Sequence, residues 1–204
     1  MRSSGIAIVL AVAVWAARLP APSLAADLVV PPPGYAYQAA ADCPFPGVVY
    51  QACEDQMQRF AAALQAAKAE GKLLLVVLGA DWCPWCRALD KLLPTDQVLA
   101  RKDEQFDYAG RYGMVNIAVS ALSKGKRITV PSGEAVAAFV MSRAAGKRSG
   151  GIPDFLIIDP RSGEAVHRKT DDLEDTWSNK GGGHDPGKVR DALREAHAKL
   201  RPAG

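Results

Sequence analysis

The sequence specifies an α/β protein, a central mixed sheet flanked by helices, with an N-terminal extension in front. Three observations predict it. Leu73-Leu74-Leu75-Val76-Val77-Leu78 is a continuous apolar run of strand length, the pattern of a strand buried on both faces. Two further, mostly apolar runs follow at Met114 to Val119 and Phe155 to Ile158. Around them, apolar residues recur at spacings of three and four, the signature of one helix face.

The elements follow in order. Arg2, an apolar stretch from Gly5 to Ala17, and small residues in Ser23-Leu24-Ala25 predict a signal peptide over residues 1–25, cleaved after Ala25. The apolar stretch ends at Arg18, short of the ~20 residues a membrane span needs. Residues 26–52 are rich in Pro and Ala without periodicity and read as an extended segment. Residues 53–204 form the predicted domain. A helix over 54–70 carries Met57, Phe60, Ala61 and Leu64 on one stripe, and Gly71 stops it. The strand 72–79 leads to a helix over 83–93, ended by Pro94. A short helix is expected over 96–105, then a strand over 112–120. Lys124, Lys126 and Arg127 read as a solvated loop. Pro131 opens a helix running toward Gly146. Residues 154–159 form a strand, Pro160-Arg161-Ser162-Gly163 a turn, and 164–168 the returning strand. A polar loop over 170–185 precedes a last helix over 186–200, with Val189, Ala192, Leu193, Ala196 and Leu200 on one face.

Composition narrows the function. The chain has 204 residues and a net charge of +3, part of which (Arg2 and Arg18) lies in the expected leader. No basic stripe with interleaved aromatics is present, which argues against nucleic acid. All four cysteines lie beyond the leader, so a disulfide-permissive compartment is expected, with the bacterial periplasm as the reading. No dimerisation segment is visible, and a monomer is expected.

Chemistry concentrates in Trp82-Cys83-Pro84-Trp85-Cys86, between the first strand and a helix. Two cysteines three residues apart at a helix start can close a small disulfide. The free N–H groups and positive dipole end of that helix stabilise a thiolate on the first sulfur. Cys83 is therefore the expected nucleophile and Cys86 the resolving thiol. Pro84 fixes the first turn. Trp82 reads as packing beside the motif. Trp85 has two readings, packing against a neighbouring loop or forming an apolar platform for a polypeptide substrate. No partner for Cys83 and Cys86 lies at a zinc-ligand spacing, so no metal site is expected. Four cysteines allow three pairings, and the local pairs Cys43–Cys53 and Cys83–Cys86 are the simplest. Cys43–Cys53 is expected to be structural; a second redox pair is the alternative. His184 lies in a glycine-rich loop and reads as solvated, with a role at the site as its alternative. His167 and His197 read as surface residues, and Asp81 as solvent-facing. Asp154 shares a strand side with Ile152, from which it could approach the site.

The segment Gly79-Ala80-Asp81-Trp82-Cys83-Pro84-Trp85-Cys86, Gly151-Ile152-Pro153 before a strand, and the turn Asp159 to Gly163 together resemble the thioredoxin superfamily, over roughly residues 54–200. The chain is most similar to exported members with a W-C-x-x-C motif. The resemblance implies a thioredoxin fold, attack by Cys83, resolution by Cys86, and a cis Pro153 facing the pair. It also implies that the Ile152 backbone is ready to pair with an extended substrate. Efficient cytosolic reductants of that family carry a buried Asp six residues before the first cysteine, where this chain has Val77. The expected activity is thiol–disulfide exchange on protein cysteines, leaning to reduction. It needs no bound cofactor beyond the cysteine pair, and a membrane redox partner resets it. Two readings from other classes stay open: a C-x-x-C module that handles Cu(I) or Zn(II), and an interaction domain whose pair stays oxidised.

Overall fold

The computed structural model describes residues 28, 30–32, 34–37, 47–102, 106–148, 150–175 and 183–201. The expected leader lies outside these residues. At its centre is β1 (Leu73–Gly79), with every residue buried. It pairs in parallel with β2 (Tyr112–Ala118) and antiparallel with β5 (Asp154–Ile158), and β5 pairs antiparallel with β6 (Ala165–Arg168). The four-stranded order β2-β1-β5-β6 is a mixed sheet, as expected.

Side chains alternate across β1, and that alternation builds two cores. Leu73, Leu75 and Val77 join Phe155 and Ile157 on one face, covered by α2 (Pro84–Leu92) and α5 (Pro186–Leu200). Leu74, Val76 and Leu78 join Leu156 and Ile158 on the other, covered by α1 (Gln56–Ala69) and α4 (Pro131–Met141). Each such side chain, fully buried, contributes roughly 1.5–3 kcal/mol. The extension adds to the second core, since Leu28, Val30 and Tyr35 pack against it.

Local chemistry sets the helix ends. Asp55 caps α1, accepting from the backbone of Met57 and Gln58. Gly71 takes φ +68° just past its end. Gln56, fully buried, accepts from Ala118 N (2.9 Å) and donates to the Gln51 and Glu54 carbonyls. Its own N–H donates to Ser132 Oγ (3.2 Å), so one residue ties α1 to β2 and α4.

Three expectations need correction. Over 96–102, the described part of the helix expected at 96–105, no helix forms. Residues 93–100 are a chain of turns, closed by Val98 N and Ala100 N on the Thr95 carbonyl and Leu99 N on that of Leu93. A four-residue helix, α3 (Tyr108–Arg111), stands just before β2 instead. The loop holding Lys124, Lys126 and Arg127 is a hairpin, β3 (Ser120–Ser123) and β4 (Lys126–Thr129). Its turn places Lys124 at φ +49° and Gly125 at φ +75°, as a two-residue turn between twisted strands requires. Finally, α4 ends at Met141 rather than near Gly146.

Candidate active site

β1 ends at Gly79, and there the chain turns toward α2. A Cβ on Gly79 would stand 2.5 Å from the Tyr50 hydroxyl oxygen, so this close approach of the Tyr50 ring requires glycine. Cys83 N donates to the Ala80 carbonyl (3.1 Å), and Cys83 becomes the N-cap of α2. Its Sγ accepts from Cys86 N at 3.2 Å. Pro84 occupies the first turn, where its missing N–H costs nothing. Cys83 and Cys86 form a disulfide with Cα atoms 5.2 Å apart. Cys83 is 4% exposed and Cys86 fully buried, so an incoming group meets Cys83 first.

The Ile152–Pro153 bond is cis. The Ile152 carbonyl lies 3.6 Å from Cys83 Sγ. In the disulfide this is a van der Waals approach; in the reduced protein the same oxygen is placed to accept from the thiol. The Pro153 carbonyl turns inward and accepts from Thr170 Oγ1 (2.5 Å). Ile152 is half-buried and Pro153 buried. A cleft of about 580 Å³ opens over Cys83, walled by Trp82, Pro84, Trp85, Gly151 and Ile152. The structure thus brings together Cys83, Cys86, Trp82, Pro84, Trp85, Ile152 and Pro153. The Cys43–Cys53 pairing falls partly on Cys43, which lies outside the described residues.

The two tryptophans have different supports. Trp82 Nε1 donates to Ser120 Oγ (3.3 Å), and the Arg127 guanidinium lies 3.9 Å above its ring. Trp85 meets the His184 ring edge-on, with centroids 5.7 Å apart. His184 is 6% exposed, and its Nδ1 has no hydrogen-bond partner among the described residues. Burial pushes its pKa down to about 4, against a smaller opposing pull from Asp171. It is not the solvated loop residue of the first reading.

Val77 leaves the usual acid position apolar, but polar groups stand nearby. β-register pairs Val77 with Asn116, whose Nδ2 donates to Asp90 Oδ1 (2.7 Å). Asp90 lies one helical turn beyond Cys86 on α2. The buried Tyr50 hydroxyl has no hydrogen-bond partner among the described residues. Burial first, then Asp90 and Asp81, raise its pKa. Tyr50, Cys83, Cys86 and Ala118 belong to one small buried cluster. Sequence reading passed over Tyr50 because its segment has no periodicity.

Asp154 does not fill the gap at Val77. It shares a sheet face with Leu156 and Ile158, on the α4 side. It is 1% exposed, 2.7 Å from His167 Nε2 and 3.5 Å from Arg148 Nε. Burial raises its pKa, and His167, the Phe155 N–H and Arg148 offset part of that. Arg148 also pairs with Glu134 at 2.7 Å. Arg148 and Asp154 bracket the Ile152–Pro153 loop, so the ion pair holds both ends of it. The His167 residue is half-buried with its side chain only 6% exposed, not a surface residue. His197 is half-buried, within reach of Arg111 Nη1 (3.1 Å) and stacked edge-on to Phe106. Asp81 accepts from Val49 N (3.0 Å), tying the extension to the motif rather than facing solvent. Among the described residues, no three His, Cys, Asp or Glu side chains stand together as a metal site would require.

A family profile described as thioredoxin-like matches residues 55–160, just over half of the chain. The chain belongs to the thioredoxin-like family. Among solved structures it is similar to a disulphide isomerase from Xylella fastidiosa Temecula1, at 22% identity and a TM-score of 0.46, over 78% of this chain and 98% of that one. It is also similar to a DsbH oxidoreductase, at 15% identity and a TM-score of 0.35, over 83% of this chain and 96% of that one. No curated protein matches the sequence.

Proposed function

We infer that the chain is an exported thiol–disulfide oxidoreductase that acts on protein cysteines, with reduction as its favoured direction. The observation that carries this is the asymmetric pair: Cys83 caps α2 at the mouth of the cleft, and Cys86 is sealed behind it. Beginning from the reduced pair, the Cys83 thiolate attacks one sulfur of a substrate disulfide. A mixed disulfide forms, and the first substrate sulfur leaves as a thiolate and takes a proton. Cys86 then loses its proton and attacks Cys83 Sγ. The second substrate sulfur leaves, and the Cys83–Cys86 disulfide closes. Two electrons pass to the substrate, and the two protons end on its thiols. The Cys83 N-cap position favours its thiolate in the reduced pair, the form that makes the first attack, through the α2 N-terminus and the Cys86 N–H.

Trp82, Pro84, Trp85, Ile152 and Pro153 form the substrate surface, with the Ile152 backbone offered to an extended chain. Cys43–Cys53 is a structural bridge between the extension and the domain beginning at residue 53. The chain works as a monomer, without a bound cofactor, and a membrane protein resets its pair. Export to the periplasm follows from the leader pattern over residues 1–25 and the cysteine usage. Among the described residues, no helix is long and apolar enough to cross a membrane.

A trapping experiment tests the exchange. Reduced Cys86→Ser protein, mixed with insulin, is expected to accumulate a mixed disulfide that dithiothreitol releases. Cys83→Ser protein is expected to accumulate none. Equal trapping by both variants, or by neither, would contradict the reading.

A further inference from the structure

We propose that the cleft selects substrates bearing a carboxylate close to the reactive cysteine, and that Arg127 reads that carboxylate. The proposal rests on the oxidoreductase reading and adds the substrate's chemical class. It begins from the charges that line the cleft: Arg127, Glu134 and Arg148. Glu134 and Arg148 satisfy each other at 2.7 Å. Arg148 also faces Asp154, which His167 holds from the other side. Arg127 differs. It lies over the Trp82 ring, and among the described residues no carboxylate forms an ion pair with it. Of the three charged residues that line the cleft, Arg127 is therefore the one without an ion-pair partner among the described residues.

The geometry makes that charge a reader rather than a loose side chain. A guanidinium stacked by its face keeps its N–H donors around the rim, turned to solvent and to any bound chain. The ring beneath it is fixed, because Trp82 Nε1 donates to Ser120 Oγ, which donates to the Ile128 carbonyl at 3.0 Å. The hairpin carrying Arg127 is closed by a tight two-residue turn. Arg127 and Cys83 line the same cleft, with Trp82 between them in contact with the guanidinium, so a substrate that reaches the sulfur enters the space Arg127 borders. A substrate cysteine on Cys83 brings its own neighbours over Trp82 and under the rim of Arg127. An Asp or Glu there gains a charge-assisted hydrogen bond. A Lys there meets a like charge.

The test uses the full chain with its pair reduced. The probes are peptides joined by one disulfide, identical except for Asp, Asn or Lys two residues from the cysteine. Each exchange rate is divided by the rate of the same peptide with dithiothreitol, which removes differences in intrinsic thiol reactivity. The wild type is expected to favour Asp over Lys about fivefold at low ionic strength, the scale of a partly exposed ion pair, with the ratio falling toward one in ~1 M salt. Arg127→Gln is expected to bring the ratio near one, and Arg127→Glu to invert it. A ratio does not depend on how much of a variant folds. A wild-type ratio of one, or a ratio that survives Arg127→Gln, overturns the proposal. So does an equal slowing of all three peptides at an unchanged ratio, since Arg127 would then act on Cys83 and not on the substrate. Absence of exchange with every peptide overturns the oxidoreductase reading as well.

Discussion

Val77 sets the chemistry available to Cys86. It is fully buried, with Leu75, Leu89 and Phe155 in the same core. A carboxylate placed there would be desolvated among apolar side chains, with Asn116 as its register partner on β2. We predict that Val77→Asp lowers stability at neutral pH by several kcal/mol, of the order of ~3. The substituted carboxyl would have a folded-state pKa above its unfolded value. Its neutral form is tolerated, so the loss should shrink below that raised value and grow as pH rises through it. Urea unfolding at several pH values checks this; a loss independent of pH would contradict it. Asp90 stands out in the sequence as an acid near the motif, but nothing there pointed to Asn116 as its partner. Their pairing depends on β2 lying in register beside β1, a long-range fact. Arg127 and Tyr50 were missed for the same reason, since each reaches the motif only through tertiary contact.

Among the elements, the ends of α1 and α4 hold the sheet's second face. Asp55 caps α1 and also accepts from the Tyr35 hydroxyl (2.8 Å), which joins the extension to the domain. Asp55→Ala is expected to cost ~1–2 kcal/mol in denaturant unfolding, and Tyr35→Phe less, since it leaves the cap intact. Equal losses would mean that the cap is not the main contribution. Gly133, in the first turn of α4, lies against the Ala118 carbonyl so closely that a Cβ would overlap that oxygen. Gly133→Ala is expected to destabilise by at least ~2 kcal/mol, because α4 must move off β2; a neutral result in thermal unfolding would contradict that packing. The strands β1, β2, β5 and β6 and the helices α1, α2 and α5 were legible, because continuous apolar runs, threefold–fourfold stripes and Pro or Gly boundaries each mark them locally. The hairpin β3–β4 was not. Its strands are short, β4 is mostly exposed, and its turn uses Lys124 at positive φ, where Asn or Asp is the usual signal. The helix expected over 96–105 was lost to the turn that Thr95 organises: its Oγ1 donates to the Leu92 carbonyl and accepts from Gln97 N.

The whole molecule responds to acid through groups that the fold keeps neutral. Burial lowers the pKa of His184 to about 4 and lowers that of His197 as well. The unfolded chain takes up these protons first, so their contribution is complete above ~6.5 and is lost as pH falls toward 4. Asp154, with its pKa raised, works in the opposite direction. We predict that the thermal midpoint falls between pH 6.5 and 4, and that His184→Gln flattens this fall; an unchanged slope in the variant would contradict the assignment. The same compactness surrounds the pair itself, since burial of Cys86 beside Tyr50 and Ala118 seals the disulfide from one side only. The most direct measurement is therefore the reduction potential of Cys83–Cys86, by equilibration of the folded full chain against glutathione buffers. A reversible transition nearer to about −270 mV than to about −120 mV is the expected result. A potential near about −120 mV would contradict the reducing direction, and a pair that never opens in the folded protein would contradict the exchange itself.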